Sequence, residues 1–421
     1  MRKRSEKVLI SFLLVVLTAC LLLSGCSNSE SKTTVDGNPL EKDWETILTE
    51  ARGSTVNFYG WGGDELTNTW IDSYVVAAMQ DKYGITVKRV PMGPDEYLNK
   101  LIGEKQAGKE KGTIDMLWIN GENFRTARQA NLLWGPFAEK VPNFLKYVDQ
   151  KAPDTAYDFG FPVEGYEVPW GKAQFIFIYD TARVQIPPKS AEELLLWAKE
   201  NPGRFTYPEL PDFTGSVFIR HLMYELCGGH EAFPFRETVE REQIEEQLIP
   251  LWDYLNEIKP YLWREGETYP STIAALHQFF ADGEIDISMS YHPALPSGMV
   301  EQGLFPDTTR TYVWEKGTIG NTHFLAIPFN APNKGAALVL ADFFLSPEAQ
   351  LDKHIPKNWG DLIALDLSKL ESEYHTQLAK INLGIATLSA EELQAYRVPE
   401  IAASYIPVIE ELWLEKVVRN R

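Results

Sequence analysis

Apolar positions along this chain repeat with two periods, and the alternation between them lays out the fold. Trp44, Ile47, Leu48 and Ala51 fall at i, i+3, i+4 and i+7, one face of a helix that Gly53 stops. Residues 55–59 then alternate around Val56 and Phe58, as a half-buried strand does. That strand passes through Gly60-Trp61-Gly62-Gly63 into a helix from Asp64 with Leu66, Ile71, Tyr74, Val75 and Ala78 on its core face, ended by Gly84. A second strand, 85–90, leads through Pro91-Met92-Gly93-Pro94 to a helix carrying Tyr97, Leu98, Leu101 and Ile102, closed at Gly108. The third, 114–119, is almost wholly apolar, the mark of a central parallel strand covered on both faces. It turns at Asn120-Gly121-Glu122-Asn123 into a helix ending near Leu132, so three strand-turn-helix units form one α/β lobe.

The remainder implies a second lobe. An aromatic strand is predicted over 173–179, a helix over 190–199, and a further helix from Pro211-Asp212-Phe213-Thr214-Gly215-Ser216 to Leu226. A helical stretch over 239–258 shows Leu248, Leu251, Trp252 and Leu255 on one side; strands follow at 283–289 and 322–329, and final helices start at Lys334. No internal repeat is present.

The amino terminus stands outside this pattern. Arg2, Lys3, Arg4 and Lys7 precede an apolar run, 8–23, and then Leu23-Ser24-Gly25-Cys26, which resembles a bacterial lipobox. Cys20 also follows small residues, but only Cys26 sits where the chain turns from apolar to polar. Residues 1–25 are therefore expected to be a lipoprotein signal peptide, Cys26 the lipid anchor, and 26–42 a polar tether. The competing reading is an uncleaved membrane span. Removal of four basic residues and one acidic residue takes the net charge from −19 to −22. Such acidity speaks against nucleic acid as a partner, since that binding needs clustered Lys and Arg.

Candidate chemistry lies in the loops. In open parallel sheets ligands sit beyond the carboxyl ends of strands. Trp61-Gly62-Gly63-Asp64, Asn120-Gly121-Glu122-Asn123 and Asp212-Phe213-Thr214-Gly215-Ser216 each lead into a helix start and combine Gly with small polar residues. Asp64, Asn123 and Thr214 serve equally as helix N-caps. Trp61 between glycines, Trp170 after a proline, and Tyr291 in Tyr291-His292-Pro293 have little core to enter and suit stacking on a ligand; Trp118, inside an apolar strand, reads as core. Asn321, in Gly320-Asn321-Thr322-His323, completes the candidate ligand-binding set, with turn chemistry as its plain alternative. A cation would suit the Trp and Tyr faces with Asp64 or Glu122, whereas an anion would use the helix N-termini, and both stay open. No catalytic residue and no cofactor are indicated: H-E-x-x-H, G-x-S-x-G, G-x-x-x-x-G-K-[ST] and paired C-x-x-C are all missing. Cys227 with His230 supplies two ligands where a structural zinc needs four, so no metal is expected.

These blocks together carry a resemblance. Trp61-Gly62-Gly63-Asp64, residues 115–125 (DMLWINGENFR), Pro169-Trp170-Gly171, 207–215 (YPELPDFTG), 261–266 (YLWREG) and 319–324 (IGNTHF) are similar to the YnjB-like family of ABC transporter solute-binding proteins. Ala326-Ile327-Pro328, Pro332-Asn333-Lys334 and Leu345-Ser346-Pro347-Glu348-Ala349-Gln350 are usual in the wider superfamily. The resemblance implies permease and ATPase partners and points to a thiamine-like cation as ligand. Lys172 departs from the family pattern, which has a small residue there, and counts against a cation.

The expectation is thus an α/β, two-lobed, periplasmic-binding-protein-like (type II) fold with a ligand cleft between lobes. The first lobe is expected to hold 43–170 and 292–330, the second 171–291 and 331–421. The protein is expected to be a non-enzymatic monomer, lipid-anchored at the outer face of the cytoplasmic membrane, that closes on a small molecule and hands it to a permease. A lipid-anchored secreted hydrolase is the rival, and it would need a nucleophile and base that these loops do not offer.

Overall fold

The protein is described by a computed structural model covering residues 37–419. The expected signal segment, Cys26 and most of the tether lie outside the described residues. Before Lys42 the described chain contributes one 3-10 turn, Pro39–Glu41.

From Lys42 onward the predicted rhythm is realised. Helix α1 (Trp44–Ala51) starts at Asp43, whose carboxylate accepts the Thr46 N–H at 2.8 Å, and it buries Ile47 and Ala51. Strand β1 (Thr55–Gly60) alternates as expected, burying Val56 and Phe58. Helix α2 (Glu65–Trp70) passes through a π-helical turn, Ile71–Val75, into Val76–Tyr83, where Gly84 in the left-handed region ends it. Strand β2 (Thr86–Pro91), helix α3 (Pro94–Gln106), strand β3 (Met116–Ile119) and helix α4 (Gly121–Gln129) complete the three units. β1 runs parallel to both β2 and β3.

The sheet is extended by strands from far along the chain. β4 (Glu167–Gln174) and, after Phe175, β5 (Ile176–Asp180) replace the single strand expected over 173–179. They belong to different sheets. The smaller sheet places β5 between β6 (Ile287–Ser290) and β7 (Thr309–Tyr312), antiparallel to both. In the larger one, β8 (Thr318–Ala326) pairs antiparallel with β3 and β4, and its start pairs parallel with β9 (Arg397–Pro399). The chain therefore crosses between sheets at Phe175 and again between Tyr312 and Thr318.

Two cores follow the two sheets. Tyr97, Leu101, Leu117, Ile119 and Phe124 pack on the larger sheet; Phe177, Phe205, Phe218, Leu251, Trp314 and Trp413 pack on the smaller. Helix α5 (Phe213–Leu226) is buried along nearly its whole length in the second core. Two stretches pack away from where they were expected. Phe305, Tyr312 and Trp314 join the second core. Helix α6 (Lys334–Phe344), apolar on every face, returns to the first sheet, where Phe344 meets Phe58 at 5.7 Å and Trp170 at 4.8 Å. A helix α7 (Pro347–His354) follows it.

Candidate functional site

The loop after β1 presents Trp61, which is 55% exposed and touches Trp118 edge-on with ring centres 6.3 Å apart. The indole folds over Gly63, where a Cβ would lie 2.3 Å from the ring; no other residue fits beneath it. The Gly62 carbonyl accepts from Asn68 Nδ2 at 2.9 Å. Asp64 caps α2 by accepting the Thr67 N–H at 2.7 Å and the Thr67 hydroxyl. After β3, Asn120 reaches across to the Thr322 carbonyl at 2.7 Å, and the Gly121 N–H is taken by Asp158. This wall is held by its own hydrogen bonds.

The facing wall comes from the second core. Asp212 caps α5, accepting the N–H groups of Thr214 and Gly215 with one oxygen and that of Ile273 with the other. A Cβ on Gly215 would strike the Pro208 carbonyl at 2.2 Å. Asp212, Thr214 and Gly215 thus anchor the helix, while their neighbour Phe213 stays exposed and packs edge-on against Tyr291 at 5.1 Å. One turn on, Ser216 donates to Glu410 at 2.7 Å, and Arg220 forms a two-pronged pair with Glu400 at 2.9 and 2.8 Å.

Electrostatics join the two walls. Partial removal from water, then the like charges of Glu410 and Asp95, push the Glu122 carboxyl above its ordinary range, opposed by Arg125 and Arg220. Glu122, Asn123 and Arg125, with Asp95, line a groove of about 690 Å³ together with Glu237, Ala403, Ser404 and Pro407. Burial pulls the His292 imidazole down to about 4, against the opposing charge of Asp64. His292 follows Tyr291 at the exit of β6, so the charge at the end of the Trp61 loop is felt in the loop carrying Tyr291.

Several polar atoms in this region are buried without a partner: Tyr291 Oη, His292 Nε2, Asn321 Oδ1, Thr322 Oγ1 and Asp361 Oδ1. Such groups are costly unless a ligand or water satisfies them. A cavity of about 370 Å³ lies beside Asn321 and Thr322, lined also by Asp158, Phe159 and Glu400.

Trp170 requires correction. It is 0% exposed and enclosed by Phe58, Trp118, Phe344 and Trp359 at 4.8–5.8 Å, a core residue and no wall of the cleft. Trp118, expected in the core, is partly exposed between Trp61 and His323.

Unforeseen in the sequence is a buried charged cluster behind β4. Lys353 pairs with Asp361 at 2.6 Å, and Lys172 with Asp154 at 2.8 Å. Arg397 lies 3.7 Å from Asp154 and donates to the carbonyls of Ala173 and Asn321. Burial lowers the Lys172, Lys353 and Arg397 pKa values and raises Asp361 to about 6. These residues are scattered over 154–397, and no local motif marks them.

Among the described residues no three His, Cys, Asp or Glu side chains are placed to hold a metal. Burial pushes the Cys227 thiol up to about 11, which makes it a poor nucleophile. No helix among the described residues is long and apolar enough to cross a membrane.

Known proteins share this arrangement. Residues 74–379 match the family described as bacterial extracellular solute-binding protein. Protein YnjB of Escherichia coli K12 is 40% identical over 330 residues, 78% of this chain and 84% of that protein. Similar solved structures include an ABC transporter protein of Clostridium perfringens (TM-score 0.61, 17% identity, 86% of this chain and 99% of that one). Another is the spermidine/putrescine substrate-binding protein PotD of Streptococcus pneumoniae (0.60, 15%, 86% and 98%). A periplasmic thiamin binding protein also aligns (0.56, 15%, 87% and 98%). These structures establish the two-lobed fold, and nothing in the matches supports the hydrolase reading.

Proposed function

Because the chain belongs to the family of bacterial extracellular solute-binding proteins, an ABC transporter component that works outside the cytoplasm, we propose that it captures a small organic cation between two lobes. One lobe carries Trp61, Asp64, Asn120 and Glu122; the other carries Phe213, Tyr291 and Glu410. We assign the lobes by sheet and core, 43–174 with 318–354 and β9 (397–399) to the first and 176–312 with 401–418 to the second, so that the crossings at Phe175 and 312–318 form the main hinge.

The observation that carries this reading is the field that Glu410 on one wall and Asp95 on the other exert on the Glu122 carboxyl, which lines the groove together with Asp95. Arg125 and Arg220 offset part of this repulsion, and a cation held between the walls would offset the rest and favour the closed state. Trp and Tyr faces add to that preference. The names of two similar structures, a thiamin binder and a spermidine/putrescine binder, fit a ligand of this charge. The loaded, closed monomer then docks on its permease, which an ATPase partner drives from the cytoplasmic side. An acyl group on Cys26 holds it at the outer face of the cytoplasmic membrane.

Thermal-shift screening of the purified protein tests the ligand class. Thiamine- or polyamine-like cations are expected to raise the melting temperature, since a hundredfold excess over the dissociation constant stabilises by about 2.7 kcal/mol. A response confined to sugars, oligopeptides or oxyanions would overturn the assignment.

A further inference from the structure

Behind β4, away from the groove, a cavity of about 410 Å³ has Lys172, Arg397 and Asp154 among its lining residues. None of Trp61, Asp64, Glu122, Tyr291 or Asn321 reaches it. Its walls are largely aliphatic, with Leu365, Leu378 and Leu393 prominent.

The charges around it do not balance. Lys353 and Asp361 neutralise each other at 2.6 Å, with side chains at most 1% exposed. Among the described residues Asp154 is the one carboxylate within ion-pair distance of Lys172, at 2.8 Å, and of Arg397, at 3.7 Å. The Lys172 side chain is 19% exposed and that of Arg397 only 9%. The other hydrogen bonds of Arg397, to the carbonyls of Ala173 and Asn321, bring dipoles but no charge, and Asp361, already paired with Lys353, acts on it only through its field. Three acids on the lining stand further off. Asp149 and Glu391 are exposed, and Asp366 accepts from the N–H and hydroxyl of Ser368, acting on Lys172 only through its field. His354 turns its Nδ1 to the Asp361 carbonyl. One buried positive charge is left over, and a desolvated cation without a counter-charge is costly.

We propose that this cavity is a second ligand site, for a small monoanionic amphiphile: a carboxylate whose head completes the Lys172–Asp154–Arg397 cluster and whose apolar body lies against Leu365, Leu378 and Leu393. A surplus of one charge matches a carboxylate better than a phosphate dianion, and the aliphatic walls disfavour a wholly polar anion. The site is independent of the cation groove, so either can fail without the other.

Calorimetry and thermal shift with hexanoate near pH 7.5 test it, with 1-hexanol and inorganic phosphate as controls. Hexanoate is expected to bind saturably and raise the melting temperature, and neither control should do so at equal concentration. Lys172→Met, which lets Asp154 neutralise Arg397, should weaken hexanoate about tenfold or more, while Asp154→Asn should strengthen it by a similar factor. Methyl NMR should report on Leu378 and Leu393. Equal binding of hexanol or phosphate would overturn the proposal. So would affinities that both variants leave unchanged, or spectral shifts confined to the Trp61 indole.

Discussion

Single alanine replacements at Trp61 and Trp170 separate ligand contact from packing. Trp170 is wholly enclosed, with four aromatic neighbours whose ring centres lie 4.8–5.8 Å away. Emptying that space leaves a cavity the size of an indole between rings that cannot all collapse inward, and the expected loss is about 3–5 kcal/mol. Trp61 makes one ring contact, at 6.3 Å, and more than half of it already faces water. Its removal should cost under about 1 kcal/mol of stability, as for other surface positions. If it stacks on the ligand as proposed, losing its exposed face should weaken binding about tenfold, or 1.4 kcal/mol. Urea unfolding read by intrinsic fluorescence gives the stabilities, and calorimetry with the best ligand from the thermal screen gives the affinities. The reasoning fails if Trp61→Ala unfolds as readily as Trp170→Ala while its folded fraction binds normally. It fails equally if Trp170→Ala is nearly neutral.

Three further outcomes are expected. His221 sits among Phe175, Phe177 and Trp314 with both ring nitrogens unpartnered, and burial holds its pKa down to about 3. It is neutral when folded and charges on unfolding, so its contribution is intact above the unfolded value near 6.5 and is lost as pH falls toward 3. His221→Leu should therefore gain about 2 kcal/mol on the parent between pH 7.5 and pH 5, and a pH-independent difference in urea midpoints would contradict this. Cys26→Ser should release the protein from the membrane fraction; retention at unchanged precursor size would rule out the lipid anchor. Small-angle scattering should show a smaller radius of gyration once ligand binds, and an unchanged value at proven saturation would argue against hinge closure.

Local pattern carried the fold a long way, for physical reasons visible in particular elements. The strand-turn-helix units before 130 were legible because their apolar periods, caps and glycines act within a few residues of one another, as Asp43, Gly84 and Pro94 do. Trp61 was legible because glycines on both sides leave an indole no core to enter. Trp170 misled because Pro169 and Gly171 suggest a loop, whereas both lie in β4, paired with β8. There Gly171 is demanded by Asp361, whose Oδ2 would sit 1.9 Å from a Cβ. Partners that enclose Trp170 come from residues 58, 118, 344 and 359, and no window of sequence brings these together. The return of α6 to the first sheet was hidden for the same reason: a helix apolar on all faces says that it is buried, not by what. Phe213 was passed over between two capping residues, although its exposure follows directly from Asp212 fixing the helix start.

The central place of β8 bears on when the molecule can fold. Part of β8 fills the space between β3 and β4, two strands that end nearly two hundred residues earlier or begin some hundred and fifty before it, and α6 then seals Phe58 and Trp170. A ribosome or a translocation pore releases residues in order, so the β3 edge stays open until about residue 326 has emerged, and Phe58 and Trp170 stay uncovered until about residue 344. Contacts of such long separation close slowly. Through most of its synthesis the chain is thus held short of its native state by its own topology, and β3 is exposed to aggregation until its late neighbour arrives.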